Sequence, residues 1–172
     1  MIIEKTHFKD LLIIKSKKHV DKRGFFREIY KYSSFKKKFV FDCFSYSKKN
    51  VLRGMHFQKK NPQGKFLTVI DGKILDVAVD LRRRSPTFGK YFSLILDSKK
   101  NVSIYIPPGF AHGFLCLSKT CKIYYKCTKH RDEKSENTLL WNDSFVKVKW
   151  PIKKPILSVK DLRGKNFSEL GI

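Results

Sequence analysis

The stretch Lys65-Phe66-Leu67-Thr68-Val69-Ile70-Asp71-Gly72-Lys73-Ile74-Leu75-Asp76-Val77-Ala78-Val79-Asp80 decides the fold class. Two runs rich in aliphatic and β-branched residues meet at Asp71-Gly72, a dipeptide that favours a tight hairpin turn. The expectation is a pair of strands, Lys65–Ile70 and Lys73–Asp80, hydrogen-bonded to each other.

The same texture extends in both directions. Leu11–Ile14 and Gly24–Tyr32 are β-type runs upstream. Downstream, Lys90–Leu96 and Val102–Ile106 flank a Lys-Lys-Asn turn, Gly113–Ser118 and Thr120–Thr128 continue the pattern, and Val146–Trp150 alternates apolar and basic residues. Helix signals are few: Ser33–Lys38 has room for a turn or two, and Lys160–Leu170 is interrupted by Gly164. No linker, repeat or low-complexity stretch divides the chain. Closely spaced strands with little helix imply an all-β sandwich or barrel, specifically a jelly roll, built as a single domain over residues 1–172.

Composition supports a packed interior. Of 172 residues, 41% are hydrophobic and 14% aromatic, too many for a disordered chain. No apolar run approaches the roughly 20 residues of a membrane span, and Leu11–Ile14 is too short for the core of a signal peptide. The expectation is a cytoplasmic domain without membrane contact. The formal charge of +23 admits a nucleic-acid-binding barrel, a reading weakened by the small share of arginine, 8 of 38 basic residues, and by the spread of lysines along the chain. The charge also suits any anionic ligand. Cys43, Cys116, Cys121 and Cys127 lack C-x-x-C spacing and are expected to be reduced, the last three as small packing residues.

Two clusters could carry chemistry. Val51–Gln58, V-L-R-G-M-H-F-Q, puts Arg53, His56 and Gln58 in an extended segment, and residues two apart in a strand share a face. Lys65 follows after Gln63-Gly64. Ile106–Phe114, I-P-P-G-F-A-H-G-F, is a Pro- and Gly-fixed turn that presents His112. A structural histidine explains either one taken alone. A metal-dependent barrel is disfavoured, because His56-Phe57-Gln58 lacks the second histidine of a His-x-His pair and no Glu lies close downstream. There is no nucleophile elbow, P-loop, dinucleotide fingerprint or H-E-x-x-H motif. A His, a Lys, an Arg and several Tyr without a metal suit proton transfer beside a carbonyl.

Taken in order, the motifs resemble those of the dTDP-4-dehydrorhamnose 3,5-epimerase family. They are R-G-F-F-x-E at 23–28, V-L-R-G-x-H-x-Q at 51–58, Q-G-K at 63–65, D-V-A-V-D-L-R at 76–82, S-P-T-F-G at 85–89, I-P-x-G-F-A-H-G-F at 106–114, Y-K-x-T at 125–128, L-W-N-D at 140–143, W-P at 150–151 and L-S-x-K-D at 157–161. The resemblance implies a cupin-type jelly-roll barrel with short peripheral helices, a homodimer, no metal or organic cofactor, and a nucleoside-diphosphate 4-keto sugar as substrate. It implies His56 as base, Asp161 as its paired carboxylate, Tyr125 as the acid on the opposite face and Lys65 as the cation beside the ketone oxygen. Ser45, Arg53, Gln58 and His112 fall at pocket positions. Arg23, Glu28 and Glu136 match nucleotide contacts, some drawn from the partner subunit.

The chain departs from the family at two places. Where the family carries Asn in an N-x-S context touching the nucleotide, this chain has Cys43, then Phe44 and Ser45; Asn50 replaces a common Gly before V-L-R-G. These positions bear on base and sugar specificity. The alternative within the class is a single-centre epimerase or ketoisomerase acting on another nucleotide-linked 4-keto sugar, for example a GDP-linked one.

Overall fold

The computed structural model describes residues 1–172. Thirteen strands run in order: β1 (Ile2–Lys5), β2 (Leu12–Lys15), β3 (Lys18–Asp21), β4 (Gly24–Arg27), β5 (Phe41–Lys48), β6 (Leu52–Gln58), β7 (Lys65–Asp71), β8 (Lys73–Asp80), β9 (Tyr91–Asp97), β10 (Val102–Ile106), β11 (Phe110–Cys116), β12 (Thr120–Cys127) and β13 (Glu136–Thr138). Helix is limited to α1 (Tyr32–Phe35), α2 (Val159–Leu162) and a 3-10 turn at Phe167–Glu169. A six-stranded sheet ordered β1-β2-β10-β7-β12-β5 faces a five-stranded sheet ordered β13-β6-β11-β8-β9, and β3–β4 form a separate hairpin. This is the expected all-β jelly roll of cupin type.

The opening expectation needs a correction. β7 and β8 do not pair: β7 lies between β10 and β12, whereas β8 lies between β11 and β9. Asp71-Gly72 is a corner that hands the chain from one sheet to the other. Gly72 takes φ +83°, and a Cβ there would sit 2.2 Å from the Thr120 carbonyl oxygen, so only glycine fits the corner. Such a turn chemistry serves a hairpin and a sheet-to-sheet corner equally. The Lys-Lys-Asn turn likewise carries the chain from β9 in one sheet to β10 in the other.

A second correction concerns Val146–Trp150, which is not a strand. Its alternation is real in burial, since Val146, Val148 and Trp150 pack on a common cluster with Met55, Val77 and Val79. Yet no neighbouring strand's backbone takes its amides: Asp143 Oδ1 accepts from Val146 N at 2.8 Å, the Asp143 carbonyl from Lys147 N at 3.0 Å, and the Tyr91 hydroxyl from Lys149 N at 3.3 Å.

The inner faces of the two sheets meet in a core that includes Leu67, Val69, Ile74, Ala78, Ile104, Phe114 and Ile123. Each fully buried Leu, Ile or Phe contributes about 1.5–3 kcal/mol. The core fills the barrel except at one end, where polar side chains of both sheets turn toward a cavity. Two glycines let β6 and β11 meet closely beside it. A Cβ on Gly54, at φ +118°, would lie 2.5 Å from Gly113 Cα, and one on Gly113 would lie 2.6 Å from Met55 Sδ.

Candidate active site

The cavity encloses about 390 Å³ between the sheets. One wall belongs to the five-stranded sheet. β6 is buried along most of its length but leaves the His56 side chain 28% exposed, open to the cavity. His56 Nε2 lies 2.5 Å from Asp161 Oδ1. A carboxylate accepts, so Nε2 carries the proton and Nδ1 is left as the basic nitrogen.

The sequence brings Asp161 there in two steps. Ile156 forms a parallel bridge with Val51, and its carbonyl accepts from Leu52 N at 3.0 Å, which lays the chain along the start of β6. Ser158 then caps α2, its Oγ accepting from Asp161 N at 3.1 Å. Burial drives the Asp161 carboxyl pKa upward, but donors from His56, Ser158 and the Gly54 backbone outweigh it and hold the pKa below the ordinary value.

His112 stands opposite His56 in the β6–β11 register, with its Nε2 2.7 Å from Asp76 Oδ2. Both side chains are buried, and Asp76 Oδ1 has no hydrogen-bond partner. The His112 ring packs edge-on to Tyr125 with centroids 6.4 Å apart.

The facing wall belongs to the six-stranded sheet. Tyr125 is paired with Cys43 on β5 and Leu67 on β7, and Cys127 with Lys65 on β7. Tyr125 lines the cavity, its hydroxyl 3.3 Å from Ser45 Oγ. Burial raises the phenol pKa strongly, against a smaller opposing effect of Ser45. Tyr124 points the other way and donates to Asp42 Oδ2 at 2.7 Å on the outside. Strand alternation therefore selects Tyr125.

Lys65 is the cavity's uncommitted cation. Arg53 Nε donates to Ser47 Oγ at 2.9 Å, and Arg131 and Lys160 both pair with Glu136 Oε2, at 2.8 and 2.6 Å. Lys65 Nζ has no ion-pair partner in the chain. Burial lowers its pKa, only partly offset by Cys127 and Glu136. The Glu136 carboxyl is pushed up by burial but brought down overall to about 2 by Arg131 and Lys160.

Eight of the expected residues thus converge: His56, Tyr125, Asp161, Lys65, Ser45, Arg53, His112 and Glu136 all line one cavity. Three do not. Gln58 is buried and holds a loop instead: Nε2 donates to the Asn61 carbonyl at 2.8 Å and Oε1 accepts from Asp132 N at 3.0 Å. Arg23 sits at the β3–β4 turn, exposed and paired with Asp21, and Glu28 is exposed near Lys31. Sequence reasoning gave no role to Asp76, Ser158 and Lys160, which lie within the motifs quoted above, and missed Arg131. Asp76 had a signal, an acid inside the apolar run I-L-D-V-A-V. No group of three or more His, Cys, Asp or Glu side chains is arranged to hold a metal ion.

Comparison with known proteins fits this geometry. The sequence model of dTDP-4-dehydrorhamnose 3,5-epimerase matches residues 5–169. The chain belongs to the dTDP-4-dehydrorhamnose 3,5-epimerase family. The epimerase of Salmonella typhimurium is 44% identical over 94% of this chain and 92% of its own length. That of Neisseria gonorrhoeae is 41% identical over 98% of this chain, which spans only about half, 53%, of that relative. A crystal structure of the Legionella pneumophila dTDP-6-deoxy-D-glucose-3,5-epimerase, in complex with dTDP-4-keto-L-rhamnose, superposes with a TM-score of 0.94 at 38% identity, covering 98% and 93% of the two chains. The family is one of isomerases, and the expected membership and cupin-type fold both hold. No helix is long and apolar enough to cross a membrane.

Proposed function

We propose that the chain inverts C3 and C5 of dTDP-4-dehydro-6-deoxyglucose to give dTDP-4-dehydrorhamnose, without a cofactor. The observation that carries this reading is the His56–Asp161 dyad on one wall of a cavity whose facing wall holds Tyr125 and the unpaired Lys65. His56 Nδ1 takes the proton beside the C4 ketone, and Asp161 stabilises the imidazolium that forms. The Lys65 ammonium holds the enolate oxygen, a contribution of about 3 kcal/mol for a well-placed donor. The Tyr125 hydroxyl returns a proton from the other face, so the centre inverts. His56 and Tyr125 then re-equilibrate with solvent, and the second carbon follows.

The cavity's charge fits an anionic substrate, with Arg53, Lys65, Arg131 and Lys160 against Glu136 and Asp161. The same reading includes a homodimer. The β3–β4 hairpin exposes Val20, Phe25 and Phe26, at 73%, 62% and 67%, which supports covering by a second copy that would bring Arg23 and Glu28 to a neighbouring cavity. Incubation with dTDP- and GDP-linked 4-keto-6-deoxy sugars in deuterated water tests substrate and stereochemistry together. Deuterium at C3 and C5 of the dTDP sugar with inversion at both supports the proposal. Exchange at one carbon, or only with the GDP sugar, replaces it with the single-centre reading.

A further inference from the structure

Three adjacent strands place a cluster of nucleophilic groups on the cavity wall. Cys43 on β5 is opposite Tyr125, Cys127 follows two residues later on β12, and Lys65 on β7 is opposite Cys127. All four side chains line the cavity. Of the chain's four free thiols only Cys43 is exposed; Cys116, Cys121 and Cys127 are buried. None of the proton-transfer steps proposed above uses either cavity thiol.

We infer that Cys43 is a covalent modification site for soft electrophiles such as alkyl halides and Michael acceptors, and that capping it closes the cavity to nucleotide-sugar ligands. The step with an alkyl halide is a displacement. The Cys43 thiolate forms the S–C bond, the carbon–halogen bond breaks, halide leaves, and the thiol proton has gone to solvent; nothing is oxidised or reduced.

The neighbours supply the reactivity. Cys127, on the same cavity wall, is the largest influence, and the Lys65 charge acts the same way against burial and the Asp42 carboxylate, bringing the Cys43 thiol pKa down to about 7. Cys127 is correspondingly pushed up. Across the cavity the Glu136 carboxylate is paired with Arg131 and Lys160, the Asp161 carboxylate is paired with His56, and Tyr125 stays protonated. An accessible thiol sharing a cavity wall with a cation is the environment of reactive cysteines. The cap then stands beside Ser45 and Tyr125, within the space a ligand would occupy.

Iodoacetamide at pH 7, with mass analysis of the folded protein, tests this. One label, mapped to Cys43, is expected before any other, with loss of turnover in step with labelling and slowing by dTDP. Cys43→Ser should lose the fast label, and its own activity, whatever its level, should survive the treatment. Cys127→Ala should slow labelling at pH 7 several-fold, because the Cys43 thiol returns toward its ordinary pKa while its thiolate becomes a better nucleophile. First labelling at Cys116, Cys121 or Cys127, or labelling of Cys43 only in denaturant, overturns the site. Fast labelling of Cys43 that neither dTDP slows nor turnover notices overturns the closure of the cavity. The closure rests on the nucleotide-sugar reading; the mass readout does not, so labelling with no turnover of any dTDP sugar before treatment would count against that reading and leave the site standing.

Discussion

His56 and Asp161 lie 105 positions apart in the chain, yet His56 Nε2 and Asp161 Oδ1 are 2.5 Å apart. The contact depends on a short parallel bridge and a one-turn helix, not on a shared element: Val51–Ile156 aligns the chain and Ser158 starts α2. A base at His56 needs this carboxylate for its tautomer and for the imidazolium.

Asp161→Asn keeps the shape and removes the charge. We expect kcat to fall by about 10²–10⁴-fold with smaller change in KM, the size of loss seen when a histidine base loses its orienting carboxylate. Deuterium wash-in at C3 and C5 should fall together. Near wild-type exchange in Asp161→Asn would mean that His56 does not depend on the dyad.

Lys65→Met should lower kcat by about 10²-fold or more and leave substrate affinity less changed, since an unpaired cation beside an enolate acts mainly in the transition state. Burial depresses the Lys65 pKa, so the ammonium is lost at a lower pH than that of a solvated lysine. Turnover should therefore decline on the alkaline side, and Lys65→Met should abolish that limb. A variant that loses affinity alone makes Lys65 a phosphate contact.

Glu136 offers a test in stability. Its carboxyl titrates near 2 when folded, below the ordinary 4.5, with Arg131 and Lys160 against it. A depressed acid stabilises the fold above its unfolded pKa, and that contribution is lost as pH falls toward the folded value. Discounted for solvent screening at the half-exposed Arg131 and Lys160, the shift corresponds to about 2–3 kcal/mol. Chemical denaturation of wild type and Glu136→Gln should differ by about that amount at neutral pH and converge between pH about 4.5 and about 2. A difference that stays constant over that range would show that packing, not charge, accounts for it.

The sequence carried most of the barrel strands and most of the cavity, but not β1, β3, β5 or β13, nor the connections. The runs around Asp71-Gly72 are strands as read, yet their pairing is decided by which sheet buries them, and both are apolar on the faces that matter. V-K-V-K-W has the burial pattern of a strand and no ladder partner. The Asn50 departure has a local reason: its φ is +67°, a region where Asn is the tolerated substitute for Gly. His56 and Asp161 were legible as motifs; Lys160 lies in the same L-S-x-K-D motif as Asp161 but had no role read for it, and Arg131 falls in no motif. Arg23 sits on the exposed β3–β4 hairpin and Glu28 just after it, and neither lines this chain's own cavity.

Tyr125 separates a double epimerase from a protein that only enolises its substrate. Tyr124 and Tyr125 are neighbours on β12 and point to opposite faces: Tyr124 is tied to Asp42 outside, and Tyr125 faces His112 and Ser45 inside. Tyr125→Phe keeps the ring packed against His112 and removes only the hydroxyl. Burial holds that phenol protonated far above neutral pH, which suits an acid delivering a proton to a strong carbanion base and not a free anion. Proton loss to His56 should persist in the variant, seen as solvent deuterium entering the sugar with retained configuration. The inverted product should fall by about 10²-fold or more, within the range of a lost general acid. Tyr124→Phe should leave both inversions intact. The opposite result, with Tyr124→Phe defective and Tyr125→Phe normal, would place the acid on the wrong face of β12. Normal inversion in both variants would mean that water reprotonates the enolate and that the facing wall supplies only Lys65.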